Sequence, residues 1–214
     1  MTRQTIPMAV EAVLKSDLRL YDTLKIGIVN YKALARHIRK QVETLAGEKT
    51  TENAIAMALQ RTGKKIRTGV KKLEGYVDIF ASSRLQMRDN ILILYLKKPP
   101  EIQKIEKGFM VVIKGIESTT IFMDDEKAGK LKIPKEDIVE QRKDLSAIIL
   151  TSPKEIVDTP GVIAHLMNAL GVNNINVVEV TSSFNTTYLL VDKKDSLEAV
   201  KIVRSLIERS KKDQ

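Results

Sequence analysis

The sequence contains no cysteine and no tryptophan, and aromatic residues make up only 4% of its 214 positions. Without cysteine there is no disulfide, no thiolate nucleophile and no Cys-based zinc or iron–sulfur site, which suits a reducing cytoplasm. So few aromatics exclude an extended platform for stacking sugars or single-stranded bases. Uninterrupted apolar runs such as Ile91 to Leu96 are far short of a bilayer span. The first residues lack the charged–apolar–small order of a signal peptide. These absences predict a soluble, cytoplasmic chain. At 43% hydrophobic and 29% charged, it has the material for a proper core.

Charge is unevenly placed. The formal net charge is +9, and residues 1–72 carry 15 Lys and Arg against 6 Asp and Glu, whereas residues 73–214 carry 21 of each. The entire excess lies in the first third. That asymmetry predicts a basic polyanion-binding module joined to a neutral remainder, the alternative being a basic surface kept for solubility.

The basic third has helical periodicity. Val10, Val13, Leu14, Leu18 and Tyr21 form one apolar series, and Tyr31, Leu34, Ala35, Ile38, Val42 and Leu45 form a second. Asn30 stands where it can cap the second helix, and Gly47 where it can stop it. A third helix begins after Thr50 or Thr51, buries Ala54, Ile55, Ala58 and Leu59, and is expected to end near Gly63. Its outer face carries Asn53, Gln60, Arg61 and Lys64, the residue types that match base edges. Lys65, Arg67, Lys71 and Lys72 follow as phosphate partners. The stretch from Asn30 to Arg39 resembles the second helix of winged-helix regulators, with Leu34-Ala35 as the pair beneath the reading helix. A helix-turn-helix-like domain over residues 1–72 is the expectation, and a helical bundle that meets only water or another protein is its alternative.

After Tyr76 the pattern becomes β-rich. Val77–Ala81, Ile91–Leu96, Phe109–Lys114 and Thr119–Met123 are expected strands, with a turn at Gly115–Ser118. Pro99-Pro100 and Pro134 are expected to open short helices running through Lys107 and Gln141. Residues 73–145 are thus a β-rich module, either a degenerate copy of the unit that follows or a wing in which Val77–Ala81 pairs with Ile91–Leu96. Residues 146–214 have the order β-α-β-β-α: a strand over Ala147–Thr151, a helix from Pro160 stopped by Gly171, strands over Ile175–Thr181 and Thr187–Val191, and a last helix from Asp195 or Ser196. The fold class is α+β, a helical domain followed by one or two ferredoxin-like βαββα modules.

The segment Asp158-Thr-Pro-Gly-Val-Ile-Ala-His-Leu-Met-Asn-Ala-Leu-Gly-Val-Asn-Asn-Ile-Asn-Val, followed by Thr181-Ser-Ser, resembles the ACT domain of the aspartokinase type. The resemblance covers roughly residues 146–209. It implies a regulatory module that pairs into homodimers and binds an amino acid or related metabolite, with contacts at Asp158, Thr159, Gly161, Val162, Ile163, Ile175, Asn176 and Ser183. The Asp158–Gly161 loop precedes a helix, so its N–H groups can face an α-carboxylate. Val178 and Phe184 depart from the family pattern and favour a less polar ligand than a basic amino acid.

No catalytic constellation is present: no phosphate loop, no Gly-x-Ser-x-Gly elbow, no His-Glu-x-x-His. His37 and His165 are expected as exposed helix residues and Asp124-Asp125-Glu126 as a solvated turn, with no metal site and no cofactor. The sequence therefore predicts a non-enzymatic, amino-acid-sensing regulator with DNA as partner. An accessory subunit docked on a metabolic enzyme and an RNA- or ribosome-associated factor are the alternatives.

Overall fold

The computed structural model describes residues 4–69, 75–100 and 108–212. By internal contacts the chain divides into two units, Met1–Glu74 and Gly75–Gln214.

In the first unit four helices are described: α1 (Ile6–Ser16), α2 (Leu18–Ile26), α3 (Tyr31–Ala46) and α4 (Glu52–Gly69). The series expected as one helix from Val10 to Tyr21 is broken at Asp17. That residue is extended (φ −126°, ψ 101°), and its carboxylate accepts the Arg19 N–H at 3.0 Å to start α2. Asn30 caps α3 through the Ala33 N–H at 3.1 Å, and Thr51 caps α4 through Ala54 at 3.2 Å. Ala9, Val10, Val13 and Leu14 meet Ala35, Ile38, Val42, Ile55 and Leu59 in one core. α4 does not stop at Gly63, which sits inside the helix where a Cβ would lie 3.2 Å from both Leu24 Cδ2 and the Tyr31 hydroxyl. Close approach, not termination, is that glycine's role. One turn later Arg67 Nη1 donates to the Leu24 carbonyl and the Tyr31 hydroxyl, both at 3.3 Å, tying α4 to α2 and α3.

The second unit contains α5 (Gly75–Ala81), β1 (Arg84–Leu96), β2 (Met110–Lys114), β3 (Thr119–Asp124), α6 (Asp125–Ala128), β4 (Ile138–Thr151), α7 (Val162–Val172), β5 (Val177–Ser183), β6 (Thr186–Asp192) and α8 (Ser196–Lys212). All six strands form one antiparallel sheet in the order β2-β3-β1-β4-β6-β5. Several expectations need correcting. Val77–Ala81 is helical, because Tyr76, Ile79 and Phe80 at i, i+3, i+4 pack together into the core beneath α7 and α8. The expected wing hairpin is accordingly not formed. After Pro134 only a single 3-10 turn, Lys135–Asp137, precedes β4, because Ile138 to Gln141 pair with Leu96 to Leu94 of β1. Gly171 lies within α7, and the chain turns at Asn174 instead, at φ 58°. The helix expected from Pro99 to Lys107 falls mostly outside the described residues.

β1 and β4 are long because each serves two modules. Leu145–Thr151 of β4 joins β6, β5 and the first half of β1; Ile91–Leu96 of β1 joins β3, β2 and the first half of β4. The two halves therefore repeat the same strand order, and each takes its fourth strand from the start of the other's first strand. The position expected as a boundary, 145/146, lies inside β4. The sequence repeats with the structure: Arg88-Asp-Asn-Ile-Leu-Ile-Leu-Tyr-Leu-Lys-Lys-Pro99 matches Arg142-Lys-Asp-Leu-Ser-Ala-Ile-Ile-Leu-Thr-Ser-Pro153. Asn90 and Asp144, at matching positions, both adopt left-handed backbone (φ 57° and 56°). Arg88 pairs with Asp124 at the end of β3, and Arg142 with Asp192 at the end of β6.

Ile91, Ile93, Phe122, Leu145, Ala147 and Leu190 are fully buried on one face of this sheet. In a flat sheet β3 and β6 would lie about 14 Å apart across three strand spacings. The rings of Phe122 and Tyr188 are nonetheless 6.1 Å apart, and Phe109 lies 5.9 Å from Tyr188. The sheet thus coils around this shared core. Its outer faces are covered by α5, α7 and α8 over one half, and by α6 with Leu131, Ile133 and Ile138 over the other.

Two substitutions test these ties. Burial raises the Asp124 carboxyl, but the Arg88 guanidinium, the Phe109 N–H and Lys127 together hold it below the ordinary aspartate value. A lowered folded-state pKa stabilises above the unfolded value and is lost as pH falls through the folded one. Asp124→Asn is expected to cost roughly 1–3 kcal/mol at neutral pH and to flatten the fall in melting temperature between about pH 5 and pH 2; equal slopes in wild type and variant would refute this. Arg67→Ala is expected to lower the stability of the helical unit by about 0.5–1.5 kcal/mol per lost bond, followed by circular dichroism, with Lys64→Ala near neutral as the comparison.

Candidate functional site

Pro153 opens a 3-10 turn, Lys154–Asp158, which leads through Thr159 and Pro160 to Gly161 at the start of α7. Gly161 has φ 88°, is exposed, and a Cβ there would meet nothing within 4 Å. Its backbone is therefore reachable from solvent, and no side chain of the N-cap residue occupies the first-turn N–H groups of α7. α7 has no acidic residue in its first turn, so no carboxylate within that turn neutralises the positive end of the helix. Thr159 donates its hydroxyl to the Glu155 carbonyl at 2.7 Å, which fixes the loop from within. The loop's near end is clamped as well. The Ser152 N–H donates to the Asn185 carbonyl at 2.9 Å, the Asn185 amide donates to the Ser152 carbonyl at 2.8 Å, and Ser83 and Ser152 share a hydroxyl bond of 2.9 Å.

The expected contact residues separate into three groups. Asp158, Thr159, Gly161 and Ile163 surround the start of α7, with Asp158 and Gly161 exposed. Ser183, exposed, ends β5 beside the Asn185 turn that the Ser152 clamp holds. Ile175 and the exposed Asn176 lie beyond the far end of α7, an 11-residue helix spanning about 16 Å. Val162 (1% exposed) and Ile175 (9%) face the core with Leu166, Leu189 and Val191. Within one chain, then, the Asp158–Gly161 loop and Asn176 mark opposite ends of the helix.

Other positions depart from expectation. His165 is not an exposed helix residue: its ring stacks on Tyr76 at 4.7 Å and lies 5.8 Å from Phe80. Its place four residues after Gly161, on the side of α7 that meets α5, becomes readable only once α5 is known to be a helix. His37 is exposed as expected. Asp124 is buried and paired with Arg88 and Lys127, and Asp125 pairs with Lys143 at 3.0 Å, so the acidic run is an ion-paired corner and not a solvated turn. Among the described residues no group of three or more His, Asp or Glu is arranged to hold a metal ion.

On α4, Asn53, Gln60, Arg61, Lys64 and Lys65 are all exposed, and Arg61, Lys64 and Lys65 make no ion pair among the described residues. Met57, 55% exposed, stands in the middle of that face. Arg67 is spent on internal bonds, and Lys71 and Lys72 lie outside the described residues. No described helix is long and apolar enough to cross a membrane.

Residues 140–205 match the family model described as ACT domain. No curated protein matches the sequence. Among solved structures, the chain is similar to the aspartate kinase of Clostridium acetobutylicum, with 14% identity and a TM-score of 0.46 over 57% of this chain and 34% of that one. It is similar also to the ligand-free regulatory subunit of aspartate kinase from Thermus thermophilus, with 14% identity and a TM-score of 0.44 over 57% and 95%. A Vibrio cholerae protein of unknown function, described as a possible transport protein, aligns with 15% identity and a TM-score of 0.43 over 65% and 98%. The chain thus spans about a third of the Clostridium kinase. The family match lies wholly in the second unit and leaves the winged-helix likeness of the first without support. In its C-terminal segment, over residues 140–205, the chain carries an ACT domain.

Proposed function

We propose that the chain is an amino-acid-sensing regulatory protein without catalytic activity of its own, acting as a homodimer through its ACT domain. The observation that carries this reading is the exposed, left-handed Gly161 at the start of α7, inside the family match. The N–H groups of the first turn take an α-carboxylate, and the exposed Asp158 carboxylate beside them takes the α-ammonium. Val178 and Phe184 stand where the family resemblance would put a carboxylate for a basic side chain. The ligand class is therefore an amino acid with an apolar or weakly polar side chain.

The basic unit supplies the partner in this reading. Arg61, Lys64 and Lys65 make no ion pair among the described residues and are exposed on the same helix as Asn53 and Gln60, a combination suited to duplex DNA. Met57 in the centre of the same face favours a second reading, a regulatory subunit docked on an enzyme, since an exposed methionine ringed by polar groups suits a protein contact.

A thermal-shift panel of the twenty amino acids tests the sensor. One or a few apolar members at about 100 times Kd are expected to stabilise the fold by about 2.7 kcal/mol. The response is expected to disappear in Asp158→Ala, and a flat panel would sink the assignment. A duplex-DNA titration at several salt concentrations tests the partner. If Arg61, Lys64 and Lys65 each neutralise one phosphate, log K is expected to fall with log salt at a slope of about −2.7, made shallower by about 0.9 in Lys64→Ala. No binding at low salt would favour the docked subunit.

A further inference from the structure

The two free edges of the sheet are guarded differently. β2 ends at Lys114, and the turn that follows it carries Glu117, charges of the kind that keep an edge from pairing with another chain. β5, the other edge, has no such guard at its end. From Val180 to Val191, through the end of β5, the turn and nearly all of β6, there is no Lys, Arg, Asp or Glu, in a chain that is 29% charged. Val180 of that edge is 39% exposed.

The turn that joins β5 to β6 adds a second anomaly. Ser183 faces Thr186 across it, so Phe184 and Asn185 are its two central residues. Among the described residues, four that are not glycine have left-handed backbone: Asn90, Asp144, Asn174 and Phe184. The first three are of the types that bear this conformation at least cost, whereas a bulky side chain there is strained. Phe184 (φ 54°) is also 73% exposed, makes no ring contact among the described residues and belongs to none of the hydrophobic clusters. Neither the backbone nor the solvent favours phenylalanine at this position. The turn is nonetheless held in place, because Asn185 and Ser152 exchange two hydrogen bonds of 2.8 and 2.9 Å. A strained residue kept on a fixed support marks a contact site, and a rigid aromatic is the side chain that anchors one at low entropic cost.

We infer that Phe184 anchors a contact between two copies of this chain along the free edge of β5, an inference that rests on the homodimer reading and names its surface. Antiparallel pairing of a strand with its own copy is two-fold symmetric, and an uncharged stretch meets no like charge when it pairs in this way. With the two-fold axis near Ser182, each Phe184 comes beside the second copy's Val180, an aromatic–β-branched pair. Each Glu179 comes beside an Asn185 and not another carboxylate. The exposed ring and the exposed valine are then covered together.

Sedimentation equilibrium of the full-length protein, with melting temperature measured alongside, tests the assignment. The wild type is expected to dimerise. Phe184→Gly is expected to raise the dimer Kd at least about tenfold with no loss of melting temperature at monomeric concentrations, since glycine suits the left-handed turn. Val180→Lys is expected to weaken association by a similar factor, and Val112→Lys, on the β2 edge, to leave it unchanged. A wild type that stays monomeric at about 100 μM would overturn this inference and the homodimer reading together. A dimer whose Kd is the same in Phe184→Gly, or is raised only by Val112→Lys, would overturn the assignment of the edge and leave the homodimer standing. A lower melting temperature of monomeric Phe184→Gly would mean that the ring serves its own fold, and would overturn the assignment as well.

Discussion

The pairing of β1 with β4 is the constraint on which the second unit rests. Each strand is needed twice, at one end as the first strand of its own half and at the other as the last strand of its neighbour. Side chains alternate along a strand, so a uniform strand passing from one half to the other would keep one set of positions inward throughout. Here the parity changes. Arg88 shares a face with Ala147, and Ile91 with Leu145, although 88 and 91 differ by an odd number. The register shift between them absorbs one residue, with Asn90 in left-handed backbone, and β4 does the same around Asp144. Asparagine and aspartate are the residues that bear this conformation at least cost after glycine. Their neighbours fix them further: Lys193 donates to the Asn90 amide oxygen at 2.8 Å, and the fully buried Ser146 donates to Asp89 at 2.6 Å.

The two arginine–aspartate pairs finish that arrangement. Arg88 emerges just before the bulge in β1 and Arg142 just before the bulge in β4, and each reaches the aspartate that ends the neighbouring strand. Arg88 also lies 5.7 Å from the centre of the Phe109 ring, at the rim of the shared core. The same residue therefore closes the ion pair and covers the aromatic cluster, which is why its partner's carboxyl stays ionised although buried. A chain cut at residue 146 would remove β1 and most of this network, leaving the C-terminal half short of its fourth strand. The natural unit is the interlocked pair.

This interlock explains what the sequence discloses and what it hides. α3 is readable in its bounds, because Asn30, the apolar series and Gly47 agree, although Leu45 of that series is exposed and Ala46 takes the buried place. The strand segments that face the shared core, Ile91–Leu96 and Ala147–Thr151, are readable as apolar runs. Their continuations, Arg84–Asn90 and Ile138–Asp144, are not. They are polar and largely exposed, and they become strands only through pairing with each other's partner, so local propensity carries no sign of them. α5 fails for the opposite reason: its valine, isoleucine and aromatics have strand-like composition, whereas the spacing of its buried positions is helical. At the candidate site the Pro160-Gly161 turn is legible because a backbone requirement leaves its mark on residue type. Val162 and Ile175 are legible as apolar, but nothing local says that they belong to the core and not to a ligand. The Tyr76–His165 stack is hidden, since it depends on α5 being a helix.

Charge follows folding in the first unit more selectively than composition suggests. Arg36 meets Glu52, Arg39 meets Glu43, and Lys15 meets Glu11, so these cations of α1 and α3 are neutralised locally and the excess falls on the others. Arg67, despite its place in the basic run, serves the core by occupying the α2 carbonyl and the Tyr31 hydroxyl. The unbalanced charge that remains on described residues of α4 is concentrated at Arg61, Lys64 and Lys65. At physiological ionic strength the field of an exposed cation is screened within about 8 Å, so only such a cluster acts on a partner as one body. The clamp from Ser83 through Ser152 to Asn185 is local in the same way, because it ties the residue preceding β1 to the turn beside the start of α7.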